Sequence, residues 1–130
     1  MGYCIDNYGC NFKMNKANAD KALAAIKELF SQSGYRAGWV DTKTVLDAET
    51  FEDALSEARF DVESGSDEYY DEIWFNGEKY SGDEEAVLNA ISPFVEDGSY
   101  IEMMGEEGER WRWIFHKDGV EEKYAKIVWD

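Results

Sequence analysis

Residues 105–130 read GEEGERWRWIFHKDGVEEKYAKIVWD. Successive side chains of a strand face opposite ways. Trp111, Trp113 and Phe115 therefore share one face, and Arg110, Arg112, Ile114 and His116 share the other. The aromatic face predicts the floor of a core, because each such ring buries on the order of 150–250 Å². The arginines then lie on the outer face, within reach of Glu102 or Glu121. Working outward, Tyr100–Met104, Glu109–His116 and Val120–Trp129 read as a three-stranded meander. The turn Lys117-Asp118-Gly119 leaves its second hairpin in one of two registers. A two-residue Asp118-Gly119 turn sets Trp113 against Tyr124 and Arg112 against Ala125. A three-residue turn with a glycine bulge sets Trp113 against Lys123 and Arg112 against Tyr124. The first keeps the aromatics together and is preferred, since a one-residue slip reverses every facing side chain.

Upstream of the meander the pattern alternates between helix and strand. GYCIDNYG and NFKMN predict one or two short strands with a bend near Gly9. Ala22, Leu23, Ile26, Leu29 and Phe30 recur at helical spacing, with Asn15 or Asn18 as cap and Gly34 as the left-handed stop. Asp41 caps a short turn through Leu46, and Thr50 opens a helix of about three turns with an approximate Thr50/Asp53 capping box. Phe60 and Val62 alternate with Asp61 and Glu63, SGSDE supplies turn chemistry, and a strand ends at Asn76-Gly77, the strongest two-residue hairpin signal. Ser81 with Glu84 forms a further capping box, and Pro93 ends that helix near Ala90–Ser92. The order β-α-α-β-β-α-β-β-β predicts a single α+β domain of residues 1–130, with an antiparallel sheet and about three helices on one face.

Composition agrees with a folded chain. The 130 residues predict one domain, able to build a core without disulfide or metal support. Hydrophobic residues make up 44% and aromatics 15%, which separates the chain from disordered acidic segments poor in aromatics. No apolar run is long enough to span a bilayer, and no secretory signal is read at the N-terminus. The start Met-Gly-Tyr-Cys-Ile-Asp also lacks the serine or threonine expected at the sixth position of a myristoylation signal. Two cysteines, Cys4 and Cys10, are too few for a disulfide framework, and a single histidine without Cys-x-x-Cys argues against structural zinc. A cytoplasmic protein with reduced thiols is expected.

No catalytic constellation emerges. His116 has no sequence-visible partner, and neither Cys4 nor Cys10 carries a nucleophile signature. Carboxylate pairs such as Asp67/Glu68, Asp71/Glu72 and Glu106/Glu107 are uninformative in a chain with 29 acidic residues. None follows a calcium-loop pattern, and GEEGE is too acidic to cradle phosphate. A non-enzymatic protein without metal or cofactor is expected.

Charge is the stronger lead. The formal net charge is −16, and residues 41–109 hold 3 Lys/Arg against 22 Asp/Glu, a net of −19. Such a field repels nucleic acid and membrane surfaces and attracts basic partners. Duplex DNA presents one negative charge per roughly 1.7 Å of axis. Carboxylates on helices and a hairpin can imitate that spacing and occupy the basic groove of a nucleic-acid-binding protein. The candidates are Asp47, Glu49, Glu52, Asp53, Glu57, Asp61, Glu63, Asp67, Glu68, Asp71 and Glu72. Tyr69, Tyr70 and Trp74 stand among them as aromatic anchors. Two readings compete with this one. The same acids serve as a solvated surface that maintains solubility. Alternatively, the tail aromatics stack a base or sugar while an arginine holds an anion, making a small-ligand or nucleotide-binding module.

Three stretches, MGYCIDNYGCNFKMNKANADKALAAIKEL (1–29), GWVDTKTVLDAETFEDAL (38–55) and DGSYIEMMGEEGERWRWIFHKDGVEEKYAKIVW (97–129), resemble a group of small acidic phage and prophage proteins. That group shares a glycine-acidic loop, a Trp-Arg-Trp or Trp-Arg-Tyr strand and a final Ile-Val-Trp. The resemblance implies no defined activity. It places the chain in a class that includes many inhibitors of bacterial defence, anti-CRISPR and anti-restriction proteins among them. The partner so implied is a basic nucleic-acid-binding protein of the host, met in the host cytosol.

Overall fold

The computed structural model describes residues 2–129. The chain runs β1 (Tyr3–Asn11), β2 (Met14–Asn15), α1 (Ala19–Ser31), α2 (Thr42–Asp47), α3 (Phe51–Glu57), β3 (Phe60–Glu63), β4 (Tyr69–Tyr70) and β5 (Glu72–Phe75). It continues through β6 (Lys79–Tyr80), α4 (Glu84–Ile91), β7 (Tyr100–Gly105), β8 (Arg110–His116) and β9 (Gly119–Tyr124). Single 3₁₀ turns precede α1 and follow α4. A curled antiparallel sheet of five strands, in the order β6-β1-β7-β8-β9, carries the four helices in one mixed α+β domain. Two short ribbons, β2-β4 and β3-β5, complete it.

Helices α2 and α3 start at the caps expected from the sequence, whereas the N-caps of α1 and α4, Asn18 and Asp83, make no side-chain cap bond. Asp41 accepts from the Lys43 N–H at 3.1 Å and Thr50 Oγ1 accepts from the Asp53 N–H at 3.1 Å. Asn15 caps the 3₁₀ turn ahead of α1 through the Ala17 N–H. Gly34, at φ 80°, ends the segment after α1, and a 3₁₀ turn containing Pro93 ends α4. β1 bulges between Asn7 and Gly9, where the bend was expected. The aromatic face of β8 lies in the core: Trp113 and Phe115 are fully buried and Trp111 nearly so. The Trp113 ring meets Trp111 edge-on at 5.8 Å and Phe60 at 6.3 Å. Arg110 and Arg112 both reach Glu102 on the outer face.

Several expectations are corrected. Asn76-Gly77 does not turn a two-residue hairpin. Neither residue takes the positive φ that a type I′ turn demands. The Asn7 side chain instead pairs with both the N–H and the C=O of Phe75, and β6 departs to pair with β1. Glycine is needed at 77 for space, because a Cβ there would overlap the Arg59 guanidinium and the Phe75 ring. The hairpin expected across SGSDE does form, joining β3 to β5 and setting Glu63 against Glu72. Helix α3 has seven residues, about two turns, because Arg59 leaves the helix at φ 83°.

The β8–β9 register is neither of the two considered. His116 pairs with Gly119 around a Lys117-Asp118 loop, Trp113 faces Glu122, and Arg112 faces Lys123. The side of each residue is that of the preferred reading, with the ladder moved by two. Asn89 of α4 accounts for this, accepting the Val120 N–H at 2.8 Å and lying against Gly119. Tyr124 consequently meets Trp111, not Trp113, at 6.0 Å. β9 also stops at Tyr124, short of the expected Trp129. Finally, the Ser81/Glu84 box is half formed: Glu84 receives the Ser81 N–H, while the Ser81 hydroxyl accepts from Asp83 N–H.

Candidate functional site

The α2–α3 corner places four of the predicted carboxylates together. Asp47 ends α2, Glu49 lies in the link, and Asp53 and Glu57 stand one turn apart on α3. All four line one groove of about 640 Å³. The opposite side of α3 buries Phe51, Ala54 and Leu55, which turns Asp53 and Glu57 outward. Lys43 pairs with Asp47, an exposed i,i+4 contact that leaves the groove strongly acidic. Glu57 also receives the Asp41 N–H at 3.0 Å, tying α3 to the start of α2.

The other predicted acids form a second group. Asp61 and Glu63 share the outer face of the β3–β5 ribbon with Glu72, which accepts from Trp74 Nε1 at 2.9 Å. Asp67 and Glu68 stand exposed on the loop between β3 and β4. Asp71 closes that loop by accepting the Gly65 N–H at 3.1 Å. Glu52 points away from the groove toward Tyr70. Burial, with that carboxylate as a second cause, pushes the Tyr70 hydroxyl up to about 12. Tyr70 is only 4% exposed and packs on Phe51, so it is not the surface anchor expected of it. Tyr69 is half-buried with Lys13 over its ring at 4.3 Å.

The exposed aromatic beside the acids is one the sequence reading missed. Trp39 is 63% exposed and holds φ 60°, a left-handed conformation unusual for a bulky residue. Its ring rests on the Arg59 guanidinium at 5.0 Å, and the same guanidinium covers Phe75 at 4.8 Å. Arg59 is itself left-handed and is paired with buried Glu84 at 2.8 Å. Burial lowers the Arg59 pKa, and Glu84 opposes that shift. Glu84 also accepts the N–H groups of Ser81 and Gly82. A pocket of about 550 Å³ lies between Trp39, Arg59 and Gly77, and it meets the acidic groove at Ser56 and Glu57, which line both. The only hint in the sequence was a tryptophan flanked by Gly38 and the Asp41 cap.

Trp111 and Trp113 face the core and offer no exposed ring on which a ligand could stack, whereas Tyr124 and Trp129 are exposed. Among the described residues no group of three or more His, Cys, Asp or Glu side chains is arranged to hold a metal ion. No helix among them is long and apolar enough to cross a membrane. His116 sits between Asp97 at 3.3 Å and Glu121 at 3.0 Å, with its pKa raised by hydrogen bonds to Glu121 and then Asp97. Comparison with protein-family models, curated proteins and solved structures finds no match to the chain.

Proposed function

We propose that the protein is a non-enzymatic inhibitor that binds a basic, nucleic-acid-handling defence protein of the host, such as a CRISPR effector or restriction enzyme, in the host cytosol. The observation that carries this reading is the joining of the acidic groove (Asp47, Glu49, Asp53, Glu57) to an exposed tryptophan across Ser56 and Glu57. Carboxylates supply long-range attraction and orientation toward a DNA-binding groove. Trp39 supplies what charge alone does not, a rigid apolar anchor of the kind that dominates interface energies. The acids of the β3–β5 ribbon and its loop extend the negative surface. The resemblance to small phage proteins points in the same direction.

The test uses purified effectors and a DNA-binding competition assay. The native protein is expected to displace duplex DNA from at least one of them. Lysine substitutions at Glu49, Asp53, Glu63, Asp67 and Glu68 are expected to abolish displacement. None of these carboxylates makes a side-chain hydrogen bond or ion pair among the described residues, so the fold is retained. Inhibition that survives all five substitutions would rule the reading out.

A further inference from the structure

The five-stranded sheet has two open edges, and they are unequal. β6 is two residues long, and Arg59 already takes its Lys79 C=O. β9 is six residues long and lies at the opposite end of the strand order. Ala125 donates its N–H to the Arg110 C=O at 2.9 Å, which fixes the parity of the β8–β9 ladder. Backbone groups along an antiparallel strand alternate between the partner and the far side. Gly119, Glu121, Lys123 and Ala125 therefore turn theirs toward β8, and Val120, Glu122 and Tyr124 turn theirs outward. Asn89 of α4 takes the Val120 N–H and closes that end of the edge. Glu122 and Tyr124 have no backbone partner on the outer side among the described residues.

Exposed apolar side chains gather at the same place. Of the seven large hydrophobic side chains exposed among the described residues, four are Tyr124, Ile127, Val128 and Trp129. The last three are between 81% and 88% exposed, and they are consecutive, as at an interaction surface. This end of the chain also stands outside the acidic field. Residues 110–130 hold five Lys/Arg and four Asp/Glu in a chain of net charge −16.

The edge is complementary to itself. Two copies related by a two-fold axis at Tyr124 set Glu122 of each against Lys126 of the other, and Val120 against Val128. Even-numbered residues then meet even-numbered residues, so outward backbone groups find each other. Neighbouring registers of the same parity lose this match. An axis at Lys123 sets that lysine against itself, an axis at Glu122 sets that glutamate against itself, and an axis at Ala125 opposes no unlike charges.

We infer that the β9 edge and the segment through Trp129 bind a second copy of this chain, joining two five-stranded sheets into one antiparallel sheet about a two-fold axis at Tyr124. The acidic groove takes no residue from β9 or from this segment, so the dimer and the inhibitor reading stand or fall separately.

Sedimentation equilibrium at about 0.15 M salt, where long-range repulsion between the acidic surfaces is screened, tests it. The native chain is expected to pass from monomer to dimer mass below about 0.5 mM protein. Lys126→Glu and Glu122→Lys, each at an exposed position, are expected to raise the dissociation constant at least about tenfold, because each sets like charges together twice. They change the net charge in opposite directions, so overall repulsion cannot account for a loss in both. The double variant Glu122→Lys/Lys126→Glu re-forms the pairs in reverse and is expected to dimerise like the native chain. In Tyr124→Cys the new thiol stands opposite its own copy, at a Cα separation of about 5.5 Å, and is expected to cross-link under mild oxidation. The inference is overturned if the native chain stays monomeric up to about 0.5 mM, if either single charge variant dimerises like the native chain, or if the double variant does not. A dimer in which Tyr124→Cys fails to cross-link also overturns it, by placing the axis elsewhere.

Discussion

Arg59 Nη1 donates to Glu84 Oε2 at 2.8 Å, and both side chains are more than nine-tenths buried. The pair locks the end of α3 to the start of α4 and forms the base on which Trp39 rests. Removing one partner leaves the other charge buried without compensation. Glu84→Ala is expected to cost about 3–5 kcal/mol in urea denaturation. A loss under about 1 kcal/mol would mean that water reaches Arg59 and that the pair contributes little.

Gly77 tests the same region from the other side. A Cβ at this position would overlap the Arg59 guanidinium and Phe75. Gly77→Ala is expected to destabilise by about 1–3 kcal/mol through overpacking. If glycine served only a turn, alanine would cost far less, because the backbone here is not left-handed.

Trp39 is strained where Arg59 and Glu84 are stabilising. Its φ of 60° carries a penalty that glycine escapes, of about 1–2 kcal/mol. Trp39→Gly is expected to leave the melting temperature unchanged or slightly raised. The same variant is expected to lose at least about 2 kcal/mol of partner affinity in the competition assay, near thirtyfold. Retained inhibition by this variant would remove Trp39 from the interface.

Two groups on the outer face of the sheet set opposing pH dependences. The Glu102 carboxyl is held below its ordinary value, first by the Arg110 hydrogen bond. Its contribution is therefore present above the unfolded value of about 4.3 and is lost as pH falls through the lower folded value. His116 is raised, so its contribution is complete below about 6.5 and is lost as pH rises through the higher folded value. Denaturation midpoints measured from pH 3 to pH 9 are expected to fall at both ends. His116→Gln should flatten only the neutral-to-alkaline limb and Glu102→Gln only the acid limb. An unchanged alkaline limb in His116→Gln would contradict the assigned contacts.

Much of the architecture was legible because it depends on local chemistry. The two-residue period placed Trp111, Trp113 and Phe115 inside, and Asp41, Thr50 and Pro93 bounded their helices through side-chain or backbone geometry that each carries alone, whereas α1 ends at an extended Gln32 before Gly34 is reached. Features decided by distant residues were not legible. The register of β9 is set by Asn89 on α4, and Asn76-Gly77 lost its hairpin to Asn7 and Arg59. The acidic groove was visible as composition, yet its grouping of Asp47, Glu49, Asp53 and Glu57 required the α2–α3 corner. Tyr70, expected at the surface, is buried, and Trp39, of which nothing was expected, is exposed, because the exposure of an aromatic depends on what packs over it. The left-handed backbones of Trp39 and Arg59 leave no compositional trace, since neither residue type favours that conformation.

The place of β1 has a consequence for how the chain reaches its native state. The first strand lies between β6 and β7, with Tyr3 opposite Tyr80 and Ile5 opposite Gly105. Both of its neighbours are synthesised long after it leaves the ribosome. The β7–β8–β9 meander closes through short loops, whereas β1 pays the entropy of a loop spanning most of the chain. Such long-range pairing slows folding relative to local hairpins. The nascent protein thus carries β1 with both edges unpaired until β6 and then β7 have emerged, and this interval, before β1 is inserted, is where the chain is most open to edge-to-edge association.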